Sequence, residues 1–270
     1  MNKKTLIYKN DLKFNHDNNI YENSDFDSDV IKDIYNDYKK KPKIELRIKD
    51  SEMENYDYLD LSNLDLDDEL LEKLINLDKI KTLLKKIKFL DLSSNKLKKF
   101  IDFSSFKNII YLNVARNNIE GDIEDNNIIE LSCEYNNIMS IKSKSIEKLN
   151  ACDNKIINLE IPKLKIMLIN NNNLETLEDQ DKVEYLECMN NKLKNIGKFN
   201  KLKEIYIANN LIEDFNEMNE LKVLNCINNP IKKIKYLGKL NIILCSTPKI
   251  SSKYNIKNIS KIKKDYLINL

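Results

Sequence analysis

The stretch Phe89-Leu90-Asp91-Leu92-Ser93-Ser94-Asn95-Lys96-Leu97 has the form LxLxxNxL, and that form returns down the chain. Leu112, Val114, Asn117 and Ile119 repeat it, followed by Leu131, Cys133, Asn136 and Ile138, then Leu149, Ala151, Asn154 and Ile156. Further copies stand at Met167, Ile169, Asn172 and Leu174, and at Leu186, Cys188, Asn191 and Leu193. Two more follow at Ile205, Ile207, Asn210 and Ile212, and at Leu224, Cys226, Asn229 and Ile231. An early copy has leucine in the Asn place (Leu59, Leu61, Leu64, Leu66), and a late one has proline there (Ile243, Cys245, Pro248, Ile250). The first inward positions are separated by 31, 22, 19, 18, 18, 19, 19, 19 and 19 residues. Ten copies at this spacing specify a solenoid, in which each turn buries an apolar face that it cannot cover alone.

Two further positions keep the register. Three residues before each first leucine stand Tyr56, Ile87, Ile109, Ile128, Ile146, Leu164, Val183, Leu202, Leu221 and Leu240, all apolar or aromatic. Three residues past the closing leucine stand Phe100, Ile141, Leu159, Leu177, Ile196, Phe215 and Ile234, with one slip, to Ile123. Over residues 56–250 the pattern resembles the leucine-rich repeat family. That resemblance implies an α/β-type curved, right-handed solenoid with a parallel β-sheet on its concave face. The family is a binding scaffold put to many uses, so the resemblance speaks to fold far more than to function. The LxL residues are expected to form short parallel strands. Asn95, Asn117, Asn136, Asn154, Asn172, Asn191, Asn210 and Asn229 form one internal column, whose amides can satisfy backbone groups that a bend would otherwise bury unpaired.

The flanks divide the chain. Residues 1–27 are polar and aperiodic and are expected to be a disordered leader. Residues 28–55 are expected to cap the first turn. Ser28 suits a helix N-cap, Val30, Ile31, Ile34, Tyr35 and Tyr38 share a face, and Ile44, Leu46 and Ile48 alternate as a strand after Pro42. Within the 31-residue first interval, Asp67-Asp68-Glu69 followed by Leu70, Leu71, Leu74, Ile75 and Leu77 predicts an amphipathic helix with an acidic start. Lys79 to Lys88, with Ile80, Leu83, Leu84 and Ile87, is expected to continue it. Later turns are too short for a full helix, so their convex segments should be extended or a 3₁₀ turn. Residues 251–270, with Ile256, Ile259, Ile262, Tyr266 and Leu267, suggest a closing helix.

The search for chemistry returns little. The one histidine, His16, lies in the leader, and Gly121, Gly197 and Gly238 are scattered, so neither a His-based catalytic set nor a phosphate-cradling loop is built. Cys133, Cys188, Cys226 and Cys245 take inward strand positions as small core residues, and Cys152 falls on the exposed side. No paired-cysteine motif offers zinc ligands, so a reduced, cytoplasmic, non-catalytic protein without cofactor or metal is expected. The N-terminus lacks a signal-peptide core, and no apolar run approaches the ~20 residues of a membrane span. The Asn-, Lys- and Ile-rich style is also similar to that of viral repeat families in large insect-infecting poxviruses, and AT-rich protists write similar sequences.

A partner is therefore the expected ligand. On the concave face Tyr58, Phe89 and Tyr111 gather beside Asp60 and Asp91, and Tyr185 and Tyr206 beside Glu187 and Glu204. With Glu130 and Glu134 there are six acids against one base, Lys148. Exposed aromatics bordered by charge have the composition of binding hot spots. The plainer account is that they support one another across the strands. Tyr58, Phe89, Asp91, Tyr111, Tyr185, Glu187 and Tyr206 are the candidate contacts for a basic or amphipathic protein partner. Residues 50–78 hold eleven acids and one base, and residues 221–264 hold eleven lysines and no acid. That asymmetry leaves open lysine-mediated binding of nucleic acid or an anionic membrane surface, and salt-sensitive self-association. A substrate adaptor recruiting an enzyme through residues 1–55 is a third reading.

Overall fold

The computed structural model describes residues 57–234, 239–240, 242–245 and 261–262. The expected leader and N-terminal cap lie outside them, as does the expected C-terminal helix except for Lys261 and Ile262. Strands are numbered in chain order. One sheet of eleven parallel strands runs through the molecule. It contains β1 (Tyr58–Asp60), β2 (Phe89–Asp91), β3 (Tyr111–Asn113), β5 (Glu130–Ser132), β7 (Lys148–Asn150) and β9 (Ile166–Leu168). It continues through β11 (Tyr185–Glu187), β13 (Glu204–Tyr206), β15 (Val223–Asn225), β17 (Ile242–Leu244) and β18 (Lys261–Ile262). Each contributes one rung, and the first inward leucines stand opposite one another, Leu59 on Leu90 and Leu90 on Leu112. This is the parallel-strand solenoid of leucine-rich repeat type that the sequence predicts.

β2, β3, β5, β9, β11, β13 and β15 are each the three residues centred on the first inward position, with a buried centre and partly exposed neighbours. The second inward residue lies just past the strand but extends the ladder, as when Val114 N–H bonds the Ser132 carbonyl at 2.8 Å. The residue before each internal asparagine then turns the chain in the left-handed region. Asp153, Asn171, Asn190, Asn209 and Asn228 hold φ near 55°. Asn and Asp tolerate this conformation better than other residues with a Cβ.

The internal asparagines close the turn. Asn172 Oδ1 accepts the Ile156 N–H at 2.9 Å, and its Nδ2 donates to the Ala151 carbonyl one repeat earlier at 2.9 Å. The same Nδ2 also reaches the carbonyls of Ile169 and Asn170 in its own repeat. Asn117, Asn136, Asn154, Asn191, Asn210 and Asn229 make the equivalent bonds. Asn95 accepts two N–H groups, from Leu64 and Leu66. All eight side chains are buried.

The back of the solenoid shows which expectations needed context. Helix α1 (Asp68–Ile75) starts where predicted, with Asp67 accepting the Leu70 N–H at 2.9 Å. It does not continue through Leu77. Asn76 Nδ2 takes the Glu72 carbonyl at 2.9 Å, Leu77 is extended, and a second helix, α2, spans Asp78–Leu84. Local side-chain bonding of this kind competes with helix propagation. Among the described residues the later convex segments are extended, with no 3₁₀ turn. β4 (Glu120–Asp125), β6 (Asn137–Ser143) and β8 (Asn158–Glu160) form one small sheet, β10 (Thr176–Leu177) pairs β12 (Asn195–Ile196), and β14 (Asp214–Phe215) pairs β16 (Lys233–Ile234). The slip to Ile123 is absorbed where the β4–β6 register shifts between Gly121, at φ 81°, and Asp122.

Other positions also depart from expectation. Phe100 and Leu159 are only partly buried, because Phe103 and Ile161 take the inner places in those longer or re-paired turns. Cys245 is likewise half-buried, next to the last described turn. Lys261-Ile262 is a strand rather than part of a helix, pairing with Ile242 and Ile243, so the backbone ladder runs one rung past the tenth copy.

Replacing Asn172 by alanine strands the buried Ile156 N–H and leaves the Ala151 carbonyl only the 3.3 Å bond from Asn154 Nδ2. At about 1–3 kcal/mol per orphaned group, urea unfolding should show a loss of roughly 3 kcal/mol. Gly197→Ala should also destabilise, by about 1–3 kcal/mol, because the new Cβ would stand 2.4 Å from the Asp179 backbone nitrogen. A shift of less than about 0.5 kcal/mol in the unfolding curve of either variant would contradict the packing described.

Candidate functional face

The outer face of the eleven-stranded sheet is built by the residues on either side of each buried leucine. In-register stacking sets like positions directly across from one another, so the face is a grid. Tyr58, Phe89 and Tyr111 are successive cross-strand neighbours, and the Phe89 and Tyr111 rings lie 5.9 Å apart, tilted by 46°. Asp91 sits one place along. It accepts the Ser93 N–H at 2.8 Å and the Asn113 amide at 3.0 Å. Ile110 and Ile129 flank this cluster just before their strands, and Ile129 is 36% exposed.

From β1 to β17 the face's one base is already committed: Lys148 pairs with Glu130 at 2.6 Å. That pairing follows a rule, in which a lysine stands one repeat beyond an acid in the same column, with the order reversed at Lys142–Glu160. Asp57–Lys88, Asp65–Lys96, Glu147–Lys165, Glu175–Lys194, Glu184–Lys203, Glu213–Lys232 and Glu220–Lys239 all obey it. The lysine hydrogen bonds hold the Glu147, Glu175, Glu184 and Glu220 carboxyls below their usual range. Sequence reading missed these rungs. The signal was an acid and a lysine separated by one repeat interval.

The second aromatic cluster departs from the rule. Tyr185 stands opposite Glu204 and Glu187 opposite Tyr206, so tyrosines occupy one diagonal of a square and carboxylates the other. The tyrosine rings are 5.8 Å apart. Tyr185 donates its phenol O–H to Glu187, and Tyr206 donates to Glu204 at 3.3 Å. Asn170 Nδ2 binds the other Glu187 oxygen at 2.9 Å. Burial and the adjacent carboxylates push both phenols above their ordinary range. All seven candidate contacts therefore lie on one sheet face, in two clusters rather than one site.

One acid already counted on this face in the sequence, but not among the candidate contacts, has an unusual setting. Glu134, one place past β5, has a buried carboxylate oxygen with no hydrogen-bond partner, and burial raises its carboxyl. Beside it Arg116 lies over the Tyr135 ring, 4.3 Å from the centroid. Both occupy the left-handed turn position, at φ 54° and 55°, where most other repeats carry Asn, Asp or Ser. Two bulky residues in that column were visible in the sequence. Among the described residues no three of His, Cys, Asp and Glu group as a metal site would require, and no helix is long and apolar enough to cross a membrane.

No known family profile matches the sequence, and no curated protein does. Solved structures do. A leucine-rich effector protein from Yersinia pestis, YopM, superposes with a TM-score of 0.58 at 18% identity, over 76% of this chain and 64% of that one. The leucine-rich repeat domain of APL1B gives 0.51 at 20% identity, over 62% and 57%. The Leptospira interrogans leucine-rich repeat protein LIC12759 gives 0.50 at 18%, over 70% and 59%. The chain thus spans a little over half the length of the APL1B domain. At these identities the likeness concerns the fold, and the fold is that of a leucine-rich repeat solenoid.

Proposed function

We propose that the chain is a non-catalytic, cytoplasmic protein-interaction scaffold that binds a basic or amphipathic protein across the outer face of its long sheet. Tyr58, Phe89, Asp91, Tyr111, Tyr185, Glu187 and Tyr206 are its contacts. One observation carries the reading. Where exposed acids elsewhere are commonly answered by a lysine of the neighbouring repeat, Glu187 and Glu204 stand among tyrosines instead, and among the described residues neither enters an ion pair. Half-buried aromatic pairs beside uncompensated carboxylates supply both the anchor and the charge selection that a hot spot needs.

The lysine-rich end is the second reading. Two of its eleven lysines, Lys232 and Lys239, pair with Glu213 and Glu220. The acidic beginning is similarly answered at Asp57 and Asp65. Salt-sensitive self-association draws on the same two ends. The adaptor reading depends on residues 1–55, outside the described part of the chain.

Affinity capture from lysate separates these. Wild type is compared with Phe89→Ala/Tyr111→Ala, with Tyr185→Ala/Tyr206→Ala and with Lys261→Ala/Lys263→Ala/Lys264→Ala. The expected result is a protein lost with both aromatic variants, with at least about a tenfold drop in affinity, and kept by the lysine variant. Material lost only with the lysine variant, and sensitive to nuclease, would transfer the function to the basic end.

A further inference from the structure

Within the square of Tyr185, Glu187, Glu204 and Tyr206, hydrogen bonding and charge are satisfied to different degrees. A phenol O–H fills a carboxylate lone pair but leaves the negative charge in place, and both glutamates carry theirs in a partly buried setting without a cation. Glu187 is fixed by two donors, Tyr185 and Asn170. Glu204 is held only by the longer 3.3 Å bond from Tyr206. One carboxylate is thus pre-oriented and the other is free to close on a ligand, and two tilted rings lie between them.

We infer that this square receives one guanidinium group, supplied by an arginine of the protein partner assigned to this face above, on which reading the inference rests. A guanidinium is planar, so it can lie against a phenol ring. Its fork of N–H donors points outward in its own plane toward carboxylates on either side. It is also more weakly hydrated than an ammonium, so less is lost when it settles on a half-buried aromatic surface. A lysine ammonium would meet one carboxylate as a point charge and leave the ring faces uncovered. The chain itself uses lysine throughout its own rungs and has only two arginines, Arg47 and Arg116. Its exposed Glu–Lys pairs show the pattern that an ammonium satisfies, and the square lacks that pattern.

The test uses the full chain and three probes: N-acetyl-arginine amide, N-acetyl-lysine amide and N-acetyl-citrulline amide. Amide resonances of residues 185–187 and 204–206 are followed during titration. The arginine probe should shift them with a half-saturation concentration at least about threefold below that of the lysine probe, and the neutral citrulline probe should not shift them. Glu187→Gln/Glu204→Gln, which keeps an acceptor for each phenol, should abolish the response while leaving the other resonances in place. Equal response to lysine, persistence in the double variant, or no response would overturn the guanidinium assignment. If the probe fails while a captured protein is still lost with Phe89→Ala/Tyr111→Ala, the assignment falls and the sheet-face function stands. If the probe binds and no face variant loses capture, the site stands and the partner reading falls.

Discussion

Every turn of this solenoid has to bend its backbone inward-side first, among leucines, where water cannot reach the peptide groups. The buried asparagine column resolves that difficulty. Each amide accepts an N–H from the repeat before it and returns N–H bonds to carbonyls on both sides of the junction. Neighbouring repeats are joined by polar groups that would each cost about 1–3 kcal/mol if left alone. Leucine packing makes the core apolar, and the amide column makes the bend compatible with it. The left-handed residue before each asparagine aims the side chain inward, which is why Asn and Asp recur at that place too.

Because this load is internal, the outside of each rung is left to charge and function. Along most columns the answer is an acid and a lysine one repeat apart. Such exposed pairs stabilise little individually, but they match each turn to the next and leave few unbalanced charges. The long sheet's outer face follows that rule at Glu130 and Lys148 and abandons it at Glu187 and Glu204, where tyrosines take the lysines' place. The change of partner from ammonium to phenol turns a neutral rung into an acidic, aromatic square. Near the chain's beginning, Phe89 and Tyr111 do the apolar half of the same work.

The sequence exposes whatever depends on period alone. Leucine register, strand positions and the grouping of Tyr185, Glu187 and Tyr206 follow from counting, because in-register stacking converts equal spacing into neighbourhood. What it hides depends on competition between local bonds. The end of α1 at Asn76 turns on one amide reaching Glu72, and the inner places taken by Phe103 and Ile161 turn on how longer turns fold over. The strand at Lys261-Ile262 was obscured by a segment that also reads as helix, although Ile262 falls nineteen residues after Ile243. The lysine rungs were countable, yet net charge and end-to-end totals averaged them away.

Amide hydrogen exchange tests most directly whether the asparagine column carries the fold. The N–H groups of Leu97, Ile119, Ile156, Leu174, Leu193 and Ile212 lie outside the strands, and each is bonded to an asparagine Oδ1 of the next repeat. Their protection should equal that of the strand amides at Leu131, Leu149 and Met167, since both open only when neighbouring repeats part. Exchange at the rate of surface turns, with the strands still protected, would show that the leucine core holds the repeats together without the column.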